Sequence, residues 1–183
     1  GCSYTAGYAD KSLTVSGQLN SYPQRLFEQF HTIEDGQGAV DPFILPLLPS
    51  DNGYPEAKLI MGTVTHCDGR VTLSPIANPM PLDTNGSWRF KSMINNDQIN
   101  NIGVPKLRVA DMTVQGYAAA NVYAKRFFYD AAKTPLAELQ SRVRNVHPTF
   151  YTVWMGVTDV LGFATAGGTG DGTGDALPVA LNI

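Results

Sequence analysis

Apolar residues form a strand-like pattern in two adjoining stretches of the chain and recur at helical spacing in three others. Lys58–Thr65 reads as a strand, Arg70–Leu73 alternates as a return strand, and the pair Asp68-Gly69 between them is a tight turn signal. Together they predict an antiparallel β-hairpin. A short amphipathic helix is predicted from Ser21, with Ser21 as cap, Pro23 in the first turn and Leu26, Phe27 and Phe30 on one face. A longer helix is predicted over Val109–Phe128. Another opens at Thr134-Pro135-Leu136, with Leu136, Leu139 and Val143 facing inward, and ends near Asn145. Asn101-Ile102-Gly103-Val104-Pro105 reads as the end of a short strand. Thr149–Gly156 is nearly continuous in apolar residues and closed by glycine, so it reads as a buried strand. Strand, helix, helix, strand in that order predicts an α/β fold with a parallel sheet.

The remaining stretches lack periodicity. Residues 1–20 read as loop. Residues 34–56 are dense in Gly and Pro, yet Phe43, Ile44, Leu45, Leu47 and Leu48 form an apolar patch that must pack on something. Residues 74–86 are again rich in Pro, Asn and Gly, and Trp88-Arg89-Phe90 is a candidate short strand. The tail from Ala166 to Asp175 is a glycine loop, and Ala176–Ile183 is the start of a further helix.

Composition narrows the class. With 183 residues, 43% hydrophobic and 16% charged, the chain reads as one globular domain over 1–183, with a loop-rich β insertion at about 34–94. A net charge of −3 gives no electrostatic drive toward nucleic acid or an anionic membrane. No apolar run reaches the roughly 20 residues of a membrane helix, so the chain is not expected to be integral to a membrane. No signal peptide is recognisable.

The two cysteines, Cys2 and Cys67, make neither a disulfide framework nor a local metal motif. Glu28 and His31 have the i, i+3 spacing of carboxylate metal sites but no second copy. Asp171 and Asp175 lack a full set of calcium ligands. Gly167–Gly174 lacks the lysine and following helix of a phosphate loop. No metal or cofactor is therefore expected. Tyr4, Tyr8, Trp88 and Trp154 suit either sugar stacking or ordinary packing, and Trp154 lies in the run expected to be buried.

Chemistry concentrates in three places. Ligands of open α/β sheets bind beyond the carboxyl ends of strands. The loop around Ser3, the turn Asn101–Lys106 and the strand-to-loop segment Trp154–Gly162 are the candidate rims of one pocket. The first of these, GCSYTAGYAD, resembles the serine block of the SGNH (GDSL-type) hydrolases. It is most similar to Bacteroidetes envelope members reading Gly-Asn-Ser-Leu-Thr-Ala-Gly-Tyr-Ala-Asp. The likeness continues through Ser16–Pro23. It resumes at Asn101–Pro105 as a second block and at Trp154–Gly168 as a third, where those members read roughly Trp-Ile-Gly-Asn-Asn-Asp-Val-Leu-Gly-Tyr-Ala-Thr-Ser-Gly-Gly.

The resemblance implies a flavodoxin-like three-layer sandwich with parallel strands, here partial, with the hairpin region as an insertion. It implies that Ser3 is the nucleophile. Lys106 stands at the oxyanion-site glycine and Thr158 at the oxyanion-site asparagine. Gly103, Gly156 and Asp159 are the accompanying binding positions. The family's base comes from an Asp-x-x-His pair, which this sequence does not contain. Its histidines, His31, His66 and His147, are read as turn or surface residues. Cys2 has two accounts: a lipid-anchored residue of an envelope lipoprotein, or a substitution at a block position that carries Asp or Asn elsewhere. The family places a central strand directly before the serine, so the chain is expected to be a fragment, or to be completed by another copy or segment. The functional expectation is an ester hydrolase homologue, inactive or incomplete as this chain, acting in the cell envelope on a small ester or an acylated glycan. The alternative is a non-catalytic glycan-binding or structural module on the same scaffold.

Overall fold

The computed structural model describes residues 1–33, 43–81, 99–128, 130–165 and 167–168. It is a mixed α/β structure. Helices α1 (Ser3–Ala6), α2 (Val15–Leu19) and α3 (Tyr22–Ile33) come first, followed by strands β1 (Leu59–Thr65) and β2 (Val71–Ala77). Helices α4 (Tyr117–Ala120), α5 (Pro135–Val146) and α6 (Val157–Thr165) follow, with 3₁₀ turns at Ala110–Thr113 and Ala124–Arg126.

The hairpin forms as its strand pattern and turn predict. β1 and β2 pair antiparallel from Leu59↔Ala77 to Thr65↔Val71, and Gly69 takes a φ of 80° at the turn. Helix α3 also forms where expected, its chain entering through the Arg25 N–H to Ser21 C=O bond of 3.1 Å. Residues 1–20 are not all loop. α2 forms because the Thr14 hydroxyl accepts from the Gly17 N–H and caps an orphan donor.

The core gathers Ala6, Leu13, Leu48, Val104, Ala124 and Phe127 with their neighbours. Leu45 and Leu48 from the Pro-rich stretch are buried, and Phe43 stacks on Phe27 at 5.1 Å, which gives that apolar patch its partner.

Three expectations are corrected. Val109–Phe128 is not one helix. Gly116 sits in the left-handed region at φ 71°. Asn121 turns its side chain onto the backbone, its Oδ1 accepting from the N–H groups of Tyr123 and Ala124. That bonding competes with helix continuation. Helix α5 forms with Thr134 as its cap, but rotated from its apolar pattern. Pro135, Glu138 and Arg142 face inward, while Leu136, Leu139 and Val143 are exposed. The rotation follows from Arg142, which donates 2.6 Å to the Phe127 carbonyl and 3.1 Å to Glu138. Both charges are thus paired where they are buried, and turning the helix would leave them without these partners.

The run Thr149–Gly156 is not a buried strand. Phe150, Tyr151, Val153 and Trp154 are 48–75% exposed. Among the described residues no strand lies beside it, and its one ladder-like bond is the Cys2 N–H to Trp154 C=O contact of 3.1 Å. The segment expected as loop after it is α6. Among the described residues the strands form one two-stranded antiparallel sheet, and no strand is assigned to Asn101–Pro105. The candidate strand Trp88–Phe90 and the final segment Ala176–Ile183 lie outside the described residues. No helix among them is long and apolar enough to cross a membrane.

Candidate functional site

Ser3 is the first residue of α1. Cys2 precedes it in an extended conformation, and Gly7 ends the helix at φ 75°, a left-handed position suited to glycine. This one-turn helix is fixed from two sides. Asn101 donates its amide to the Thr5 carbonyl at 2.8 Å, and the Val104 N–H donates to Gly1 C=O at 3.0 Å. Gly103 lies between these contacts. A Cβ there would fall 2.3 Å from the Ala6 nitrogen, so only glycine lets the two backbones meet. Its place is therefore one of packing.

The turn after Gly103 carries Lys106 to Ser3. The Lys106 N–H donates to Ser3 Oγ at 3.2 Å. Lys106 has a φ of 65°, a conformation that disfavours residues with a Cβ by about 1–2 kcal/mol. The resemblance places glycine at this position, and the backbone adopts what glycine adopts most easily.

The third segment closes the arrangement. The Cys2 N–H reaches the Trp154 carbonyl, and Tyr4 meets Trp154 edge-on at 6.2 Å. Both Asp159 oxygens accept from the Val109 N–H at 3.1 Å. Gly156 has a φ of 93° with open space where a Cβ would stand, so it serves backbone conformation. Thr158 is half-buried in the first turn of α6, and its side chain makes no hydrogen bond among the described residues. The structure thus joins Lys106 to Ser3 directly, packs Gly103 on the Thr5–Ala6 backbone of the serine helix, ties Asp159 to the chain just past Lys106, and leaves the Thr158 side chain unattached among the described residues.

A polar hollow of about 260 Å³ opens beside Lys106, with Glu56, Arg108, Asp111, Tyr117 and Tyr123 among its walls. Arg108 and Asp111 pair at 2.8 Å. Burial pushes the Tyr117 hydroxyl up, and the nearby Asp111 carboxylate adds to it. Burial also raises Tyr123, helped by Tyr8. Both phenols therefore stay neutral through the physiological range. These wall residues were missed in the sequence, although Arg108 and Asp111 at i, i+3 are a readable ion-pair spacing. Asn121, which donates to the Tyr117 hydroxyl at 2.8 Å, gave no signal.

The histidines are held elsewhere. The His31 ring meets Phe27, His66 Nε2 lies 2.8 Å from the Thr72 hydroxyl, and His147 ends α5 in the left-handed region. None bonds Ser3 among the described residues. Glu28, spaced for a metal with His31, instead accepts from Gln24 and Arg25, and these bonds lower its carboxyl, Gln24 most. Among the described residues no three His, Cys, Asp or Glu side chains cluster as metal ligands. Comparison with protein-family models, curated proteins and solved structures finds no match to this chain.

Proposed function

We propose that the chain is an SGNH-type ester hydrolase homologue with Ser3 as its nucleophile. One observation carries the reading: the Lys106 N–H meets Ser3 Oγ from a left-handed backbone position, where the resemblance places the oxyanion-site glycine. The chemistry follows from that contact. Attack of Oγ on an ester carbonyl moves the oxygen onto carbon, and the N–H it leaves turns to the developing oxyanion. The Thr158 hydroxyl is the second donor, in place of an asparagine amide. A lost or weakened donor of this kind costs about 3 kcal/mol in the transition state. With no Asp-x-x-His in the sequence, turnover is slow, because an unassisted hydroxyl is a poor nucleophile at neutral pH.

The substrate is a small ester or an acylated glycan. Exposed Tyr4 and Trp154, at 62% and 48%, sit edge-on beside the serine helix and offer a face to a sugar ring. The same pair supports the second reading, a non-catalytic envelope module that binds glycans. Cys2 is completely buried, which favours a packed block residue over a lipid anchor. The parallel sandwich of the family would need a further strand beside Phe150–Trp154, whose exposure is consistent with that requirement.

Hydrolysis of p-nitrophenyl acetate by the chain and by Ser3→Ala tests the proposal. A Ser3-dependent rate above background is expected, with Ser3 carrying the acyl group in a trapped intermediate. Equal rates in the two proteins remove the nucleophile. Glycan binding together with equal rates supports the second reading.

A further inference from the structure

The β-hairpin has one open edge, and we propose that this edge, the outer side of β1, pairs with the same edge of a second copy of the chain. Two hairpins then form one four-stranded antiparallel sheet across a two-fold axis. Ser3 takes no part in it.

Two bonds at the base of β1 fix which way its backbone groups point. The Lys58 carbonyl accepts from the Asn78 N–H on the β2 side, and the Leu59 N–H turns the other way, to the Asp10 carbonyl. Bonding in an antiparallel pair alternates from residue to residue. Ile60, Gly62 and Val64 therefore face β2, and Met61, Thr63 and Thr65 turn their N–H and C=O groups outward. No hydrogen bond engages these outward groups among the described residues. All three side chains are exposed as well.

The two edges of the hairpin differ. By the same alternation Val71, Leu73 and Pro75 face outward from β2, and Pro75 has no N–H to offer, which blunts that edge. β1 reads Leu-Ile-Met-Gly-Thr-Val-Thr. It holds neither a charge nor a proline, the usual devices that keep an edge strand single. A two-stranded hairpin is marginal in water, and further strands stabilise it. Here the two strands pack chiefly on each other.

A second copy fits because the edge is self-complementary. Set antiparallel about Thr63, the outward groups meet in one register. Thr63 lies opposite Thr63, and Met61 opposite Thr65, each pair exchanging two bonds for about six in all. A register shifted either way leaves only two full pairs, because the Leu59 N–H is taken by Asp10 and Cys67 lies in the turn. No like charges face each other along β1. At its ends the register carries Lys58 toward the second copy's turn, where Asp68 is exposed, so the charges there attract. An edge of this length buries less than the roughly 800 Å² per partner of a standard interface, so the dimer is reversible and concentration-dependent.

Sedimentation equilibrium of the full chain tests the pairing, beside Thr63→Pro, Thr63→Lys and Leu73→Lys. Thr63→Pro deletes an outward N–H and leaves the ladder to β2 intact. Thr63→Lys sets like charges face to face at the axis. Leu73→Lys places the same charge on the outer edge of β2. A dimer with a Kd of about 10–100 μM is expected, weakened tenfold or more in both Thr63 variants and unchanged within threefold in Leu73→Lys. A cross-link reads the register even where a Thr63 variant loses its hairpin. With the exposed Cys67 replaced by serine, Thr63→Cys is expected to form a disulfide between copies on mild oxidation, since the paired Cα atoms would stand about 5.5 Å apart. Thr65→Cys in the same background is expected not to. A chain that stays monomeric to about 500 μM overturns the proposal. So does a dimer that ignores both Thr63 variants and gives no Thr63→Cys cross-link, which would seat the second copy elsewhere, as on Phe150–Trp154. Slow hydrogen exchange at Met61, Thr63 and Thr65 in a monomer also overturns it, because another segment of the chain would then cover the edge.

Discussion

Two stretches of this chain look alike on paper and fare oppositely. Ala118–Phe128 and Phe150–Met155 are both short and carry several aromatic residues. The first is the centre of the core, with Phe127 wholly buried and Phe128 at 3% exposure. The second lies open, Tyr151 at 75%. The difference is not in the residues but in what lies beside them. Around Phe127, the helix-breaking bonds of Asn121 fold the chain back on Val104 and Leu13. Beside Phe150, the ring of Phe30 approaches edge-on at 5.2 Å. Apolar character states that burial would be favourable; neighbours decide whether it occurs.

The sharpest way to break the comparison is to empty both places. Phe127→Ala removes a fully enclosed ring and is expected to cost about 3–5 kcal/mol, whereas Phe150→Ala costs less than about 1 kcal/mol. Urea denaturation measures both, and similar losses would show that the second stretch is packed in solution. Next in size is Glu138→Ala. It leaves the Arg142 guanidinium buried with the Phe127 carbonyl as its main partner, at an expected cost of about 3 kcal/mol. A neutral result would mean that α5 rolls over and turns its leucines inward. Smallest is Lys106→Gly. Relief at φ 65° outweighs the added freedom of the unfolded chain, for a gain of about 0.5 kcal/mol. A rise in thermal midpoint checks it, and a fall would mean that the lysine stem packs on the site.

What was readable in the sequence were elements set by local chemistry. The Asp68-Gly69 turn fixed the hairpin, and Thr134-Pro135 fixed the start of α5. The meeting of Ser3 with Lys106 joins residues 103 positions apart, which periodicity does not mark. What was not readable depended on partners far along the chain. The inward face of α5 was settled by Arg142 reaching Phe127, fifteen positions away. The exposure of Trp154 was settled by the lack of a strand beside it among the described residues. Burial of Arg126 was equally hidden. Its guanidinium donates to the Pro46 carbonyl, 80 positions distant, and burial pushes it down to about 10. Neither apolar spacing nor charge pattern marks such a residue in advance.

The hairpin has a practical meaning of its own. Its strands make their contacts chiefly with each other, and its base is stitched by Asn78 N–H to Lys58 C=O at 2.9 Å, beside the Leu59 N–H to Asp10 C=O bond of 2.9 Å. The two ends of the excursion therefore already touch. A reporter peptide spliced in at Asp68-Gly69 would ride at the tip of this arm, and trimming the arm back to its stitched base would shorten the chain without removing a buried core residue.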